Sequence, residues 1–102
     1  MSVIVTIEFP GLQADKFMEV FQRDPERMKR ISEDGRSQGA IHHSVAANDD
    51  GILIVVDEWD SRESFERFFA NQEEIKGVMG EFERSGQPIV RNYRVMDTAD
   101  RF

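Results

Sequence analysis

One short run of the chain is apolar at every position, and this run restricts the fold more than any other feature. Residues 52–56 are five aliphatic side chains in succession, a pattern typical of a strand that is covered on both of its faces. The preceding residues, Asn48-Asp49-Asp50-Gly51, all favour turns and end in Asp-Gly, which predicts a hairpin with the strand before them. The chain therefore contains a sheet that must be covered on two sides.

The spacing of apolar residues predicts six elements in the order βαββαβ. Alternation with a period of two marks the strands, and spacing at i, i+3, i+4 and i+7 marks the helices. The predicted strands are residues 3–9, 41–47, 52–56 and 89–96, and the helical segments start at Ala14, at Pro25 after an Asp24 cap, and at a capping box from Asp60 to Glu63. The Phe-rich segment after the capping box is expected to be one helix that ends before Gly86.

This order is that of the ferredoxin-like fold, an α+β fold in which a four-stranded antiparallel sheet carries both helices on one face. We expect residues 1–102 to form one such domain, because the length is typical of a single domain. The phenylalanines predicted to pack beneath the sheet are Phe17, Phe21, Phe65, Phe68, Phe69 and Phe82. We assign Leu53, Val55 and Trp59 to the other face, which a second copy of the chain would cover most simply. The chain is therefore expected to be a homodimer.

Composition and charge exclude several classes of partner and cofactor. The 13 basic residues against 20 acidic ones give a net charge of −7, with no block of Lys or Arg, so a nucleic-acid partner is not expected. There is no cysteine and no Gly-rich phosphate loop, so neither a Cys-ligated metal nor a nucleotide cofactor is indicated. The short apolar N-terminal run is interrupted by Thr6 and Glu8, which favours a cytoplasmic protein without a signal peptide or a membrane span.

Two side chains at the end of the third strand are candidates for a functional site. Trp59 is the chain's one tryptophan, and Asp57 lies two residues away on the same strand face. Glu8 and Arg94 lie on strands that could bring them to Asp57 and complete an acid–base cluster around a bound ligand. Structural ion pairing explains this cluster equally well, and packing at an interface explains Trp59.

His42, Tyr93 and Arg91 are the remaining candidates. His42 and His43 are adjacent on a strand, so they point to opposite faces and are badly placed to bind one metal ion. With His43 directed toward the helices, His42 would face the other side, where it could act as a base near neutral pH. Tyr93 could donate its hydroxyl to a phenolate or carbonyl, and Arg91 on the same face could anchor an acidic group of the substrate. A half-exposed strand histidine and an interface tyrosine are the structural alternatives.

The residues DGILIVVDEWDSRESFERFF resemble a recurrent stretch of the dimeric α/β-barrel superfamily, in its antibiotic-biosynthesis-monooxygenase-like branch. The matching positions are Gly51, Asp57, Trp59, Ser61, Phe65 and Phe68. The resemblance implies a dimer whose two sheets face each other, with a cavity in each protomer either between sheet and helices or within the barrel. Members of the superfamily include cofactor-free oxygenases acting on anthrones and quinols, haem-degrading enzymes, lyases, isomerases and proteins with no known reaction, so the fold alone does not assign an activity.

The haem-degrading members are a poor match to this chain. They carry an Asn on the first strand, a Trp in the second helix and a His ligand further along that helix. This chain has Thr6, Phe68 and the Gly77-Val78 region in the corresponding places. A haem cofactor is therefore disfavoured.

The resemblance favours a monooxygenase that needs no cofactor, in which an electron-rich phenol, quinol or anthrone itself supplies electrons to dioxygen. Such an enzyme needs an apolar pocket, a base such as His42, and hydrogen-bond donors such as Trp59 or Tyr93. The alternative is a non-catalytic dimer that binds a small molecule or another partner.

Overall fold

The structure is a computed structural model that describes residues 1–83 and 85–102. Its elements are β1 (Val3–Gln13), α1 (Ala14–Arg23), α2 (Pro25–Ser37), β2 (Ala40–Ala47), β3 (Ile52–Trp59), α3 (Arg62–Asn71), α4 (Glu73–Glu81) and β4 (Ile89–Arg94). The strands form one antiparallel sheet in the order β2-β3-β1-β4, which confirms the predicted α+β ferredoxin-like fold. No helix within the described residues is long and apolar enough to cross a membrane.

The first helical region is divided into α1 and α2 at Asp24, and α2 begins at Pro25, as the sequence predicted. The carboxylate of Asp24 accepts a hydrogen bond from the backbone N–H of Arg27 at 3.1 Å, and Pro25 follows it as the first residue of α2. The cap satisfies one of the free N–H groups of the new helix, and proline at this position loses no helical hydrogen bond. α1 and α2 can therefore present separate apolar faces to the sheet.

The Phe-rich region, predicted as one helix, consists of α3 and α4. The chain breaks at Gln72, whose backbone is extended and whose side chain accepts a hydrogen bond from the N–H of Glu74 at 2.6 Å. The predicted cap at Asp60 is wrong, because the hydroxyl of Ser61 accepts the hydrogen bond from the N–H of Ser64 at 3.1 Å and caps α3. Short capped helices thus replace the long helix expected from the phenylalanine spacing.

The first and last strands along the chain, β1 and β4, have different ends in the structure from those predicted. β1 continues past Pro10 to Gln13, although its pairing with β3 is interrupted between Glu8 and Gln13. Gly11 in this interruption has a φ of 82°, and a Cβ there would lie 2.7 Å from the backbone nitrogen of Ser85. Glycine is needed at this position because both the φ value and the close contact exclude a side chain. β4 ends earlier than predicted, at Arg94.

The helices cover the face of the sheet that carries Leu53, Val55 and Trp59, so the assignment of these residues to the opposite face is wrong. Val55 pairs with Ile7, and Trp59 pairs with Val3. Residues directly opposite each other on antiparallel strands share a face, and Ile7 belongs to the buried core. Because β3 is apolar on both faces, its own pattern does not tell which set of residues meets the helices.

The other face of the sheet, called the open face below, is not covered by the helices. Its residues are His42, Ser44 and Ala46 of β2, Ile52, Ile54, Val56 and Glu58 of β3, Ile4, Thr6 and Glu8 of β1, and Ile89, Arg91 and Tyr93 of β4. Ile52 is 46% exposed and Tyr93 is 53% exposed. The aliphatic residues at its centre are partly exposed in the single chain. Such a face indicates that another surface packs on it.

Candidate active site

A cavity of about 670 Å³ lies between the sheet and the helices. Its walls are mainly aromatic and aliphatic side chains, with Phe17, Phe21, Phe65 and Phe69 among them. This volume falls within the range of about 300 to 1,000 Å³ that is usual for small-molecule sites, and a mostly apolar wall is also usual there. The cavity is therefore the candidate site for a small apolar or aromatic ligand.

The cavity opens to solvent between α2 and β2. Exposed residues of both elements line it, including Lys29 and Arg36 of α2 and Ile41 and Val45 of β2. β2 is an edge strand of the sheet, so within the described residues no neighbouring strand closes this side. A ligand would enter across the edge of β2 and would meet β3 at the far wall.

A buried carboxylate anchors the polar part of the cavity wall. Asp57 is 8% exposed, and each of its two oxygens has a partner. Oδ1 lies 2.7 Å from Nδ1 of His43, and Oδ2 accepts a hydrogen bond from Nε1 of Trp59 at 3.2 Å. The three side chains, called the Asp57 cluster below, line the cavity together. A carboxylate in this position is satisfied on both sides, as burial requires.

Trp59 is held rigidly in the wall. Its side chain is 1% exposed, and its ring packs against Phe65 and Phe68 with centroid distances of 5.8 and 5.2 Å. Because its indole N–H is donated to Asp57, Trp59 positions the carboxylate and contributes its ring to the wall.

His43 is the group of this cluster that can exchange a proton with a ligand. An ionised carboxylate only accepts hydrogen bonds, so Nδ1 of His43 carries the proton that faces Asp57, and Nε2 of the neutral ring is an acceptor. Within the described residues, no hydrogen bond to Nε2 is formed. The hydrogen bond to Asp57 raises the pKa of His43, and partial burial opposes this change. The side chain is 49% exposed and lines the cavity.

His42 is the histidine predicted for the pocket, whereas His43 is the one that contacts Asp57, and the hairpin contained the signal for this pairing. Ala47 pairs with Leu53 beside the turn, and counting four residues away from the turn, back along β2 and forward along β3, places His43 opposite Asp57. Opposed residues of an antiparallel pair share a face, so the hairpin register alone joins the histidine to the carboxylate. His42 pairs with Glu58 on the open face and reaches the cavity at its rim.

The remaining predicted site residues do not join Asp57. Glu8 pairs with Ile54 on the open face, and Arg91 and Tyr93 belong to the same face, so the sheet separates all three from the cavity. Arg94 lies on β4, two strands away from β3, which is about 10 Å in a sheet. The predicted acid–base cluster of Asp57 with Glu8 and Arg94 is therefore wrong. No group of three or more His, Asp or Glu that could hold a metal ion occurs among residues 1–83 and 85–102.

The fold is similar to that of several solved structures, whereas the sequence matches no family model and no curated protein. A monooxygenase from Streptomyces coelicolor in complex with nanaomycin D has 14% identity and a TM-score of 0.70, over 95% of this chain and 89% of that one. SnoaB, a cofactor-independent oxygenase from Streptomyces nogalater, has 13% identity and a TM-score of 0.62, over 98% and 97%. A dimeric ferredoxin-like protein from an uncultured marine organism has 12% identity and a TM-score of 0.66, over 99% and 93%. The predicted resemblance to antibiotic-biosynthesis-monooxygenase-like proteins is confirmed at the level of the fold.

The hydrogen bond between His43 and Asp57 predicts how His43 titrates. In a His42→Ala background, which leaves one histidine to observe, the pKa of His43 measured by NMR should lie above the usual value of about 6.5. Asp57→Asn removes the charged acceptor and should lower that pKa, while Glu58→Gln, a matched change on the open face, should leave it unchanged. An equal pKa in the Asp57→Asn and parent proteins would contradict the paired geometry.

Proposed function

We propose that the chain is a cofactor-independent monooxygenase-like enzyme that acts on a small aromatic substrate of the phenol, quinol or anthrone type. The proposal is based on the Asp57 cluster, which lies in the wall of an apolar cavity. Within the described residues, Nε2 of His43 has no hydrogen-bond partner. A histidine oriented by a carboxylate is a common arrangement for a general base. The apolar wall suits the rings of the substrate.

The protein must supply a base for this reaction and must exclude competing water. The substrate provides the rest of the chemistry. His43 removes a proton from the activated methylene or hydroxyl of the substrate, and the resulting electron-rich anion transfers electrons to dioxygen. For an anthrone, one oxygen atom becomes the new carbonyl oxygen, and the other leaves as water with the two hydrogens of the methylene. The substrate supplies all the electrons, so no external reductant enters this balance.

Each residue of the Asp57 cluster has a separate task in this reaction. His43 contacts the reacting proton, and Asp57 holds the imidazole in the tautomer that leaves Nε2 free to accept it. Trp59 fixes the second oxygen of Asp57, so the carboxylate has one orientation. His43 is therefore the catalytic residue, and the other two are positioning residues.

The similar structures support this proposal through their described activities. One is a monooxygenase in complex with nanaomycin D, and another is a cofactor-independent oxygenase. Their identities of 13 to 14% are too low to transfer a substrate to this chain. The Asp57 cluster is the reason for preferring an enzyme over a protein that only binds a ligand.

Oxygen consumption tests the proposed activity directly. With dithranol as substrate, the purified protein should consume dioxygen faster than the uncatalysed background, and the rate should rise with pH as His43 loses its proton. His43→Ala should lower the catalysed rate by about 100-fold or more, since a positioned base is worth roughly 10² to 10⁴. Asp57→Asn should lower it as well, whereas His42→Ala, the neighbouring change at the rim, should keep most of the rate.

Two results would contradict the proposed enzymatic activity or its proposed base. A rate at background for the folded parent protein, together with quenching of Trp59 fluorescence by dithranol, would favour the alternative of a ligand-binding protein. An unchanged rate in His43→Ala would show that His43 is not the base.

We also propose that two copies of the chain form a homodimer through the open face. Its centre contains Ile4, Ile54 and Val56, and a dimeric ferredoxin-like protein is among the similar structures. Burial of these side chains would add apolar area that a chain of this size lacks on its own.

Light scattering tests the dimer. The parent protein should have twice the mass of the chain at micromolar concentration, and Ile54→Lys should shift it to the monomer, because a charge would be buried in the interface. Met18→Lys places the same charge on exposed α1, away from the open face, and should leave the dimer intact. A monomeric parent protein, or a dimer that Ile54→Lys leaves unchanged, would rule out this interface.

A further inference from the structure

Lys16 of α1 pairs with Glu19 of the same helix, and the other basic residues of α1 and α2 fall into two sets, the first of which is neutralised by α4. Arg23 and Arg27 lie 3.4 and 2.6 Å from the carboxylate oxygens of Glu81. Arg30 lies 2.9 Å from an oxygen of Glu74. These three guanidinium groups therefore have their counterions within the fold, on the side of the helices that faces α4.

The second set lies at the mouth of the cavity and has no counterion within the described residues. Lys29 and Arg36 are exposed, both line the cavity, and neither forms an ion pair there. Lys29, Ser32 and Arg36 are spaced at i, i+3 and i+7, so they form one ridge along α2, next to the buried Gly35. Two unpaired cations thus stand over an apolar cavity in a chain whose net charge is −7.

Two acidic residues line the cavity and must be included in the charge balance: Asp57, whose oxygens are occupied by His43 and Trp59, and Glu33, which lies beside the ridge. Glu33 lies four residues after Lys29 and three before Arg36. Helical geometry places it on the far side of the ridge from Gly35, and so further from the core than either cation. The ridge and Glu33 together carry a net positive charge, and the cations are the groups closer to the opening.

We propose that Lys29 and Arg36 bind a carboxylate on the substrate, so that the natural substrate is an anionic aromatic molecule. This inference rests on the proposed function, since it assigns the substrate class of the same cavity. The apolar rings would fill the interior, the carboxylate would stay at the mouth between the two cations, and the opposite end would be directed toward His43. Arg91, the anchor expected from the sequence, lies on the open face and is not available for this task.

A matched pair of ligands tests the charge preference without any turnover. Anthraquinone-β-carboxylate and its neutral β-carboxamide have nearly the same size and differ in charge, and quenching of Trp59, the chain's one tryptophan, reports binding of either. The parent protein should bind the carboxylate more tightly than the carboxamide. Raising the ionic strength from about 0.01 to about 1 M shortens the Debye length from about 30 to about 3 Å and should reduce the preference.

Single variants distinguish the effect of the two cations at the cavity mouth on carboxylate binding from the effect of the protein's overall charge. Lys29→Gln and Arg36→Gln should each weaken carboxylate binding by about two- to fivefold, the usual worth of an exposed ion pair, and the double variant should abolish the preference. Glu33→Gln should strengthen carboxylate binding. Arg30→Gln removes the same charge from the same helix on the side facing α4, and it should leave the preference unchanged.

Equal affinity of the parent protein for the two ligands would overturn the inference, as would a preference that survives in a folded double variant. Absence of binding by either ligand would overturn it too. None of these results bears on oxygen consumption with dithranol, which carries no carboxylate. The substrate class and the proposed oxygenase activity can therefore fail separately.

Discussion

The carboxylate of Asp57 lies under the helices, where an ion without partners would cost several kcal/mol. It persists there because His43 and Trp59 occupy its two oxygens. The same hydrogen bonds fix the orientation of the histidine ring and of the indole. Removing one partner would leave the charge incompletely satisfied, so the three residues act as a unit whose members depend on one another. The polar wall of the cavity follows from this single requirement.

The two faces of the sheet have different proposed roles. The helix face carries the cavity, whose described lining comes from one chain, and the open face carries the apolar residues proposed for dimerisation. Period-two alternation in β1 keeps the two sets of side chains apart, since Ile7 faces the helices and Thr6 faces away. A change on the open face can therefore alter association without touching the Asp57 cluster.

The element order and the ferredoxin-like fold could be predicted because apolar periodicity and turn residues are local properties of the sequence. The division of the Phe-rich region at Gln72 could not, since a glutamine side chain that caps a helix leaves no mark on the apolar spacing. The face of β3 that meets the helices was also missed, because residues 52–56 are apolar on both sides. The pairing of His43 with Asp57 could be predicted, because the hairpin turn sets the register of the two strands. The volume of the cavity depends on packing between distant elements and could not be predicted.

We place the ligand site between the sheet and the helices, at the Asp57 cluster. NMR mapping with anthraquinone-β-carboxamide tests it most directly, because the indole N–H of Trp59 gives one identifiable signal. We expect this signal and the amide signals of His43 and Asp57 to shift on titration, while those of Arg91 and Tyr93 on the open face stay in place. Shifts confined to Arg91 and Tyr93 would contradict this location and would place the site on the other side of the sheet.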